Sequence, residues 1–199
     1  MTTANKITIV RILLVPFFIV QVVYYASTGD EVYRWLALAS FAVAAVSDGV
    51  DGYIARHFNQ RSELGAVLDP LADKLLLVSG IVLLSLHETP KLPSVPIWLT
   101  ATVLSRDMLL TLGLTVIHFV TGKIIVRPRW TGKLATVLQM IVVLWALLRL
   151  PNDWFLWWCR GAGLFTGFSG LQYVLDGMRQ LSAHPASHST TGPASPPGG

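Results

Sequence analysis

The chain has 199 residues, 53% hydrophobic and only 13% charged. A soluble domain carries about 25% charged residues, so the composition excludes an ordinary water-soluble globule and points to one polytopic membrane domain. The single cysteine, Cys159, excludes disulfide frameworks and cysteine-built zinc or iron–sulfur sites, and a net charge of +4 in such a chain reports topology before it reports nucleic acid.

A transmembrane helix needs about 20 mostly apolar residues. Six stretches qualify: 7–26, 32–50, 67–86, 95–120, 134–150 and 154–175. The expected fold class is therefore all-α, a polytopic integral membrane protein with six transmembrane helices forming one domain over residues 1–181. Turn formers separate the stretches, as at Ser27, Thr28, Gly29 and Asp30, or at Pro151, Asn152 and Asp153. The first stretch has neither the cleavage site of a signal peptide nor the composition of a transit peptide, so it is expected to be retained. Residues 182–199, rich in Ser, Pro, Gly, Ala and His, are expected to form a disordered tail, with His184 and His188 as solvated residues rather than metal ligands.

Lys and Arg set the orientation. With a cytoplasmic N-terminus, ten of them fall on the cytoplasmic side and four, Arg34, Lys91, Arg149 and Arg160, on the other, with Arg106 inside the fourth span. The loops are short enough for the positive-inside rule, so both termini are expected to be cytoplasmic. A bacterial plasma membrane is the expected compartment.

Carboxylates at the edge of hydrocarbon cost a few kcal/mol each and need a reason. Asp48 and Asp51 close the second span, Asp69 and Asp73 open the third, and their i,i+3 and i,i+4 spacings put each pair on one helical face. A hairpin over 52–65 is expected to bring the pairs together. Any one of them alone reads equally well as a helix cap, but four converging carboxylates would repel unless neutralised. An all-oxygen donor set suits Mg²⁺, Mn²⁺ or Ca²⁺, and two such ions can grip a pyrophosphate. Gly49, Gly52, Ala55 and Gly65 allow close approach of backbone or ligand, and Arg56 and Arg61 supply cations for a phosphate-bearing substrate. The pattern points to phosphoryl transfer at a membrane surface.

The run Asp48, Gly49, Asp51, Gly52, Ala55 and Arg56, then Gly65, Asp69 and Asp73 at fixed intervals, resembles the signature of the CDP-alcohol phosphotransferase family. Asn5, Thr8 and Arg11 look like that family's opening segment, and six helices match its architecture. The resemblance covers roughly 5–179. It implies an enzyme that cleaves a CDP-linked lipid or alcohol, releases CMP and joins the phosphate to an acceptor hydroxyl. It further implies that Asp48, Asp51, Asp69 and Asp73 surround two divalent cations, Mg²⁺ or Mn²⁺, and that Asp73 is the base for the acceptor alcohol. Gly52, Ala55, Arg56 and Gly65 would then shape the CDP pocket. Direct displacement and a homodimer are expected on the same ground.

With CDP-diacylglycerol as donor, two acceptors compete. The stretches 59–62 and 68–74, with Ser105, Arg106 and Asp107, look close to cardiolipin synthases of the eukaryotic type, which makes phosphatidylglycerol the first expectation. Gly132, Lys133, Ala135, Thr136 and Gln139 are shared in outline with phosphatidylglycerophosphate synthases, which use glycerol-3-phosphate. Those usually carry a lysine at the position of Ala135 and an arginine at that of Leu114. Arg106 and Lys133 are the candidates for the acceptor's phosphate. Arg106 is costly inside a span, and a pair with Asp107 is expected to be poor because consecutive helical residues point about 100° apart. Lys133 reads equally as a snorkelling anchor.

The remaining polar and aromatic residues have plainer readings. Arg127 and Arg129 are explained by topology, His57 and His118 as interfacial or satisfied histidines, and Cys159 as a small buried residue. Trp35, Trp98, Trp130, Trp154, Trp157 and Trp158 suit an interfacial belt. A cation or proton transporter would also use intramembrane carboxylates, but the chain has no repeat and its Asp residues gather at one face. A non-catalytic scaffold would be expected to have lost a carboxylate or motif glycine, and none is lost.

Overall fold

The computed structural model describes residues 3–58, 63–86, 92–121 and 130–182, and the side chains of 9–47, 72–86, 92–113, 115 and 130–178. The described residues form six α-helices: α1 (Thr3–Thr28), α2 (Glu31–Phe58), α3 (Glu63–Leu86), α4 (Ile97–Thr121), α5 (Trp130–Leu148) and α6 (Asn152–Ser182). The expected all-α architecture is observed. Most helices extend past the apolar stretches that announce them, because hydrogen bonding along a helix does not stop where hydropathy does. The expected hairpin over 52–65 is largely helix: α2 continues to Phe58 and α3 starts at Glu63, so both Asp pairs lie well inside helices. The tail lies outside the described residues.

Helix α1 packs on α2 and α3, and α6 packs on α4 and α5; α3 and α5 join the two groups. The shared core includes Phe18, Phe41, Ile81, Leu99, Val142 and Val143, all essentially without exposure. Gly80 makes this junction close. A methyl group there would sit 3.1 Å from Val143 Cγ1 and 3.5 Å from Phe18 Cζ, so α3 meets both α5 and α1 at this point. Phe18 in turn lies 5.6 Å from Phe41, ring to ring. Ser40 donates to the Ala37 carbonyl and Gln139 Nε2 donates to Thr166 Oγ1 at 2.8 Å across α5 and α6, whereas Gln21 Oε1 and Thr100 Oγ1 are buried without a partner among the described residues.

Turns close one end of the bundle. Gly29 takes φ 70° after α1, and Asp30 Oδ1 accepts from the Val32 amide to cap α2. Helix α5 stops at Leu148, short of the expected 150, because Arg149 adopts φ 53°. The Arg149 amide donates to the Ala146 carbonyl and the Leu150 amide to that of Trp145, a Schellman pattern. A left-handed arginine costs about 1–2 kcal/mol, offset here by its guanidinium, which donates to Tyr25 Oη and meets Glu31 at 2.6 Å. Glu31 also takes Arg34 Nε at 2.7 Å, and Arg34 Nη1 donates to the Leu147 carbonyl, so the first hairpin is tied to α5.

Every helix exposes large apolar side chains, among them Leu13, Val46, Leu86, Met108, Trp130 and Leu164. Contiguous apolar surface on all sides is unfavourable in water and natural in lipid. Among the described residues, Ile9–Thr28 and Trp130–Leu148 are by themselves long and apolar enough to cross a bilayer. The molecule is a membrane protein.

Because lipid is as apolar as the side chains, such a bundle is held by close packing rather than by exclusion of water. Gly80→Leu should therefore destabilise it by about 1–3 kcal/mol through overpacking, read as a lowered midpoint of thermal unfolding in detergent. An unchanged midpoint would mean that α3 does not approach α5 and α1 this closely.

Candidate active site

Towards the end of the bundle opposite the turns, the start of α1, the first half of α3, the middle of α4, the start of α5 and the second half of α6 converge. Arg11 is fully buried there, and its Nη1 donates to Asp73 Oδ1 at 3.0 Å. A buried guanidinium is tolerated only when paired and hydrogen-bonded, so this contact ties α1 to α3 and orients the Asp73 carboxylate. Lys74, next in sequence, reaches from α3 to α4, its Nζ 3.5 Å from Asp107 Oδ1.

Arg106 forms the other half of the site. Its Nη1 donates to Asp107 Oδ1 at 2.8 Å, and its Nη2 lies 3.4 Å from Ser169 Oγ on α6. The guanidinium also lies 5.9 Å from the centroid of the Tyr173 ring. The pairing with Asp107 corrects the expectation from helical geometry. Arginine's three methylenes let the guanidinium swing around the helix to the shorter carboxylate, and with side chains 11% and 18% exposed the two charges favour each other over weak solvation. The pair does not exhaust Arg106: among the described residues its buried Nε has no acceptor.

Helix α5 brings Gly132 against this arginine. A methyl group at Gly132 would lie 3.0 Å from Arg106 Nη2 and 3.4 Å from Ser169 Oγ, so a larger residue would push the guanidinium by a few tenths of an ångström. Gly170 does the same on α6, where an added methyl would lie 3.3 Å from Arg106 Cγ. Lys133, the neighbour of Gly132, is exposed. The described charges here, Arg11, Lys74, Arg106 and Lys133 against Asp73, Asp107 and Asp176, leave one positive charge over, and the guanidinium and ammonium groups suit a phosphate-bearing ligand.

Asp48, Asp51, Gly52, Ala55, Arg56, Gly65 and Asp69 lie on the described backbone of α2 and α3, while their side-chain surroundings lie outside the described residues. The helical backbone keeps each Asp pair on one face, as its spacing requires. Among the described residues no group of three or more His, Cys, Asp or Glu forms. The four carboxylates constitute an all-oxygen donor set of the kind hard divalent cations take, and the one described member, Asp73, sits beside the cationic cluster. Arg127 and Arg129 lie outside the described residues.

Reading the sequence alone missed the Arg11–Asp73 pair and the parts played by Lys74, Ser169 and Tyr173. Arg11 did carry a signal, a cation within an apolar run, which topology absorbed. Ser169 and Tyr173 carried none, being 63 and more positions from Arg106.

Residues 1–166 match the family model of the CDP-alcohol phosphatidyltransferases. The CDP-diacylglycerol–glycerol-3-phosphate 3-phosphatidyltransferase of Escherichia coli (strain K12) is 34% identical over 174 residues, covering 84% of this chain and 90% of that relative. The protein of the same name in Salmonella typhimurium (strain LT2) is 33% identical over 177 residues, with the same coverage. The probable phosphatidylglycerophosphate synthase of Mycobacterium tuberculosis (strain H37Rv) is 32% identical over 184 residues, covering 89% of this chain and 82% of that relative. The chain belongs to the CDP-alcohol phosphatidyltransferase family, and is thus a transferase of phospholipid biosynthesis. The names of these relatives match glycerol-3-phosphate, the second of the two expected acceptors, rather than phosphatidylglycerol.

Combining Arg106→Gln with Asp107→Asn should reveal a coupling of about 0.5–3 kcal/mol in a double-mutant cycle, measured by thermal unfolding in detergent. Additive effects would show that Asp107 does not hold the guanidinium. The Lys74–Asp107 contact, longer at 3.5 Å and with the lysine exposed, should couple by less than about 1 kcal/mol.

Proposed function

We propose that this enzyme transfers the phosphatidyl group of CDP-diacylglycerol to glycerol-3-phosphate, releasing CMP and forming phosphatidylglycerophosphate. The observation that carries the acceptor is the naming of relatives that span 84–89% of the chain. The charge distribution around Arg106 supports it. A small acceptor bearing a phosphate dianion needs cations, and Arg106 offers a guanidinium against Gly132 on α5, whose next residue is the exposed Lys133.

In this reading Asp73 takes the proton of an acceptor hydroxyl. The hydroxyl oxygen bonds to the phosphatidyl phosphorus, the bond from that phosphorus to the CMP oxygen breaks, and the electron pair leaves with CMP. Arg11 holds the Asp73 carboxylate in position from within the bundle. Arg106 and Lys133 bind the acceptor's phosphate and bring its hydroxyl to Asp73. Gly52, Ala55, Arg56 and Gly65 hold the CDP moiety. Two divalent cations, Mg²⁺ or Mn²⁺, when bound by Asp48, Asp51, Asp69 and Asp73, neutralise the pyrophosphate as Lewis acids. All six helices cross the bilayer, and the Asp73 end faces the cytoplasm, where the excess of Lys and Arg lies.

The direct test supplies detergent-purified protein with CDP-diacylglycerol, Mg²⁺ or Mn²⁺, and one acceptor at a time, following CMP and the lipid product by mass. Glycerol-3-phosphate should yield phosphatidylglycerophosphate, Asp73→Asn should yield none while remaining folded, and a chelator should stop the reaction. Product with phosphatidylglycerol alone would reinstate the cardiolipin reading; activity indifferent to chelator would remove the metal model.

Arg106→Ala should raise the KM for glycerol-3-phosphate by about tenfold or more, the worth of a charge-assisted hydrogen bond. The KM for CDP-diacylglycerol should stay within about twofold. Equal effects on both substrates would move Arg106 out of the acceptor site.

A further inference from the structure

Away from the active site, α4 and α6 leave an open groove of about 700 Å³ between them, lined by Trp98, Arg160, Gly163, Leu164, Gly167, Phe168 and Leu171. All of these but one are apolar. Gly163 lies directly under Trp98, whose indole would collide with any side chain there, so the ring forms one wall. One turn further on, a methyl group at Gly167 would meet nothing within 4 Å, so this glycine is an open floor. Leu164, Phe168 and Leu171 are more than half exposed along the groove.

Arg160 stands at one end. Its guanidinium carbon lies 5.2 Å from the centroid of the Trp157 ring, and among the described residues it forms no ion pair. The exposed Trp154 and Trp157 mark the start of α6 as an interfacial belt, which sets Arg160 just beneath the headgroups. From Arg160 to Leu171 the helix rises about 16 Å at about 1.5 Å per residue. That is close to one leaflet of a hydrocarbon core about 30 Å thick.

We propose that this groove binds one anionic phospholipid of the leaflet opposite the active site, its acyl chain lying along Gly167 and its phosphate on Arg160. The shape takes a single flexible chain, the length matches one leaflet, and the one polar group carries the charge that complements a phosphate. A second copy of the protein fits less well. A two-fold axis along the membrane normal would bring two Arg160 residues to the same depth, while Asp153, the nearest acid on α6, lies two turns away towards the helix start. This site is independent of which acceptor the enzyme uses.

The test adds phosphatidylserine or phosphatidylcholine to the delipidated full-length protein in detergent and counts retained lipid by native mass spectrometry. Wild type should retain phosphatidylserine about fivefold better, the worth of one basic residue near a phosphate. Arg160→Gln should bring the two lipids to equality. Gly167→Leu, which fills the groove without a clash, should lower retention of both several-fold. Melting temperatures of both variants should match wild type, and lipid bound elsewhere is common to all three proteins. Equal retention of the two lipids by wild type, or a preference untouched by Arg160→Gln, would overturn the proposal. So would a Gly167→Leu protein that keeps its lipid but changes from dimer to monomer, since the groove would then be the seat of a second copy.

Discussion

The guanidinium of Arg11 has no exposed surface, and Asp73 supplies its ionic contact from the neighbouring helix at 3.0 Å. A charge in that position is bearable only with a partner, and removing the partner of a buried ion costs about 3–5 kcal/mol. The arrangement of α1 on α3 is therefore constrained by polar chemistry as well as by the packing around Phe18 and Gly80. The same constraint serves the site. The residue proposed as base is turned towards α1 by the fold itself, and the next residue, Lys74, continues the chain of charges to Asp107 and Arg106 on α4. Helices α1, α3 and α4 are thereby held in one register at the end of the bundle that carries Asp73.

The two ends of the bundle use arginine differently. At the turn end, Glu31 accepts from both Arg34 and Arg149, Arg34 also donates to the Leu147 carbonyl, and Arg149 also donates to Tyr25. These contacts lock a hairpin to a helix terminus and even sustain a left-handed arginine. At the other end, Arg106 is held at its two terminal nitrogens while its buried Nε has no acceptor among the described residues. Gly132 and Gly170 keep backbone close without filling the space around it. Arg149 Nε at the turn end is likewise buried without an acceptor among the described residues, so the two ends differ in what their arginines join: a hairpin and a helix terminus at one, α4 and α6 at the other.

Much of this was legible in the sequence because membranes make polar residues conspicuous. Six apolar stretches correspond to six helices, and the cost of Asp48, Asp51, Asp69 and Asp73 near hydrocarbon marked the end of the bundle proposed to react. Arg106 was marked by the same argument. What escaped depended on contacts between distant positions. Arg11 could be explained by topology, so its pairing with Asp73 stayed hidden, and nothing local distinguishes Ser169, Tyr173 or Thr166 from other small or aromatic residues of α6. The pair between Arg106 and Asp107 was misjudged because backbone direction stood in for side-chain reach. Helix ends were misplaced for a simpler reason: hydropathy reports where lipid is, whereas hydrogen bonds and a residue such as Arg149 decide where a helix stops.

Acceptor choice is the point at which the residues and the relatives pull apart, and the geometry suggests why. The expectation of phosphatidylglycerol rested on the stretches 59–62 and 68–74 with Ser105, Arg106 and Asp107, and on Ala135 and Leu114, positions that would otherwise carry cations. Ala135 is 1% exposed and lies three residues beyond Gly132, on the buried face of α5 that meets α6 through Gln139 and Thr166. A small residue there need not mean that the phosphate has lost its partners. Gly132 lets the Arg106 guanidinium, anchored on α4, lie against α5. Arginine presents a rigid fork of donors where lysine presents a point charge, so one well-placed guanidinium with Lys133 at its side can meet a phosphate's need without the second lysine. On the proposed reading, the cation for the acceptor's phosphate is delivered from α4 rather than from α5.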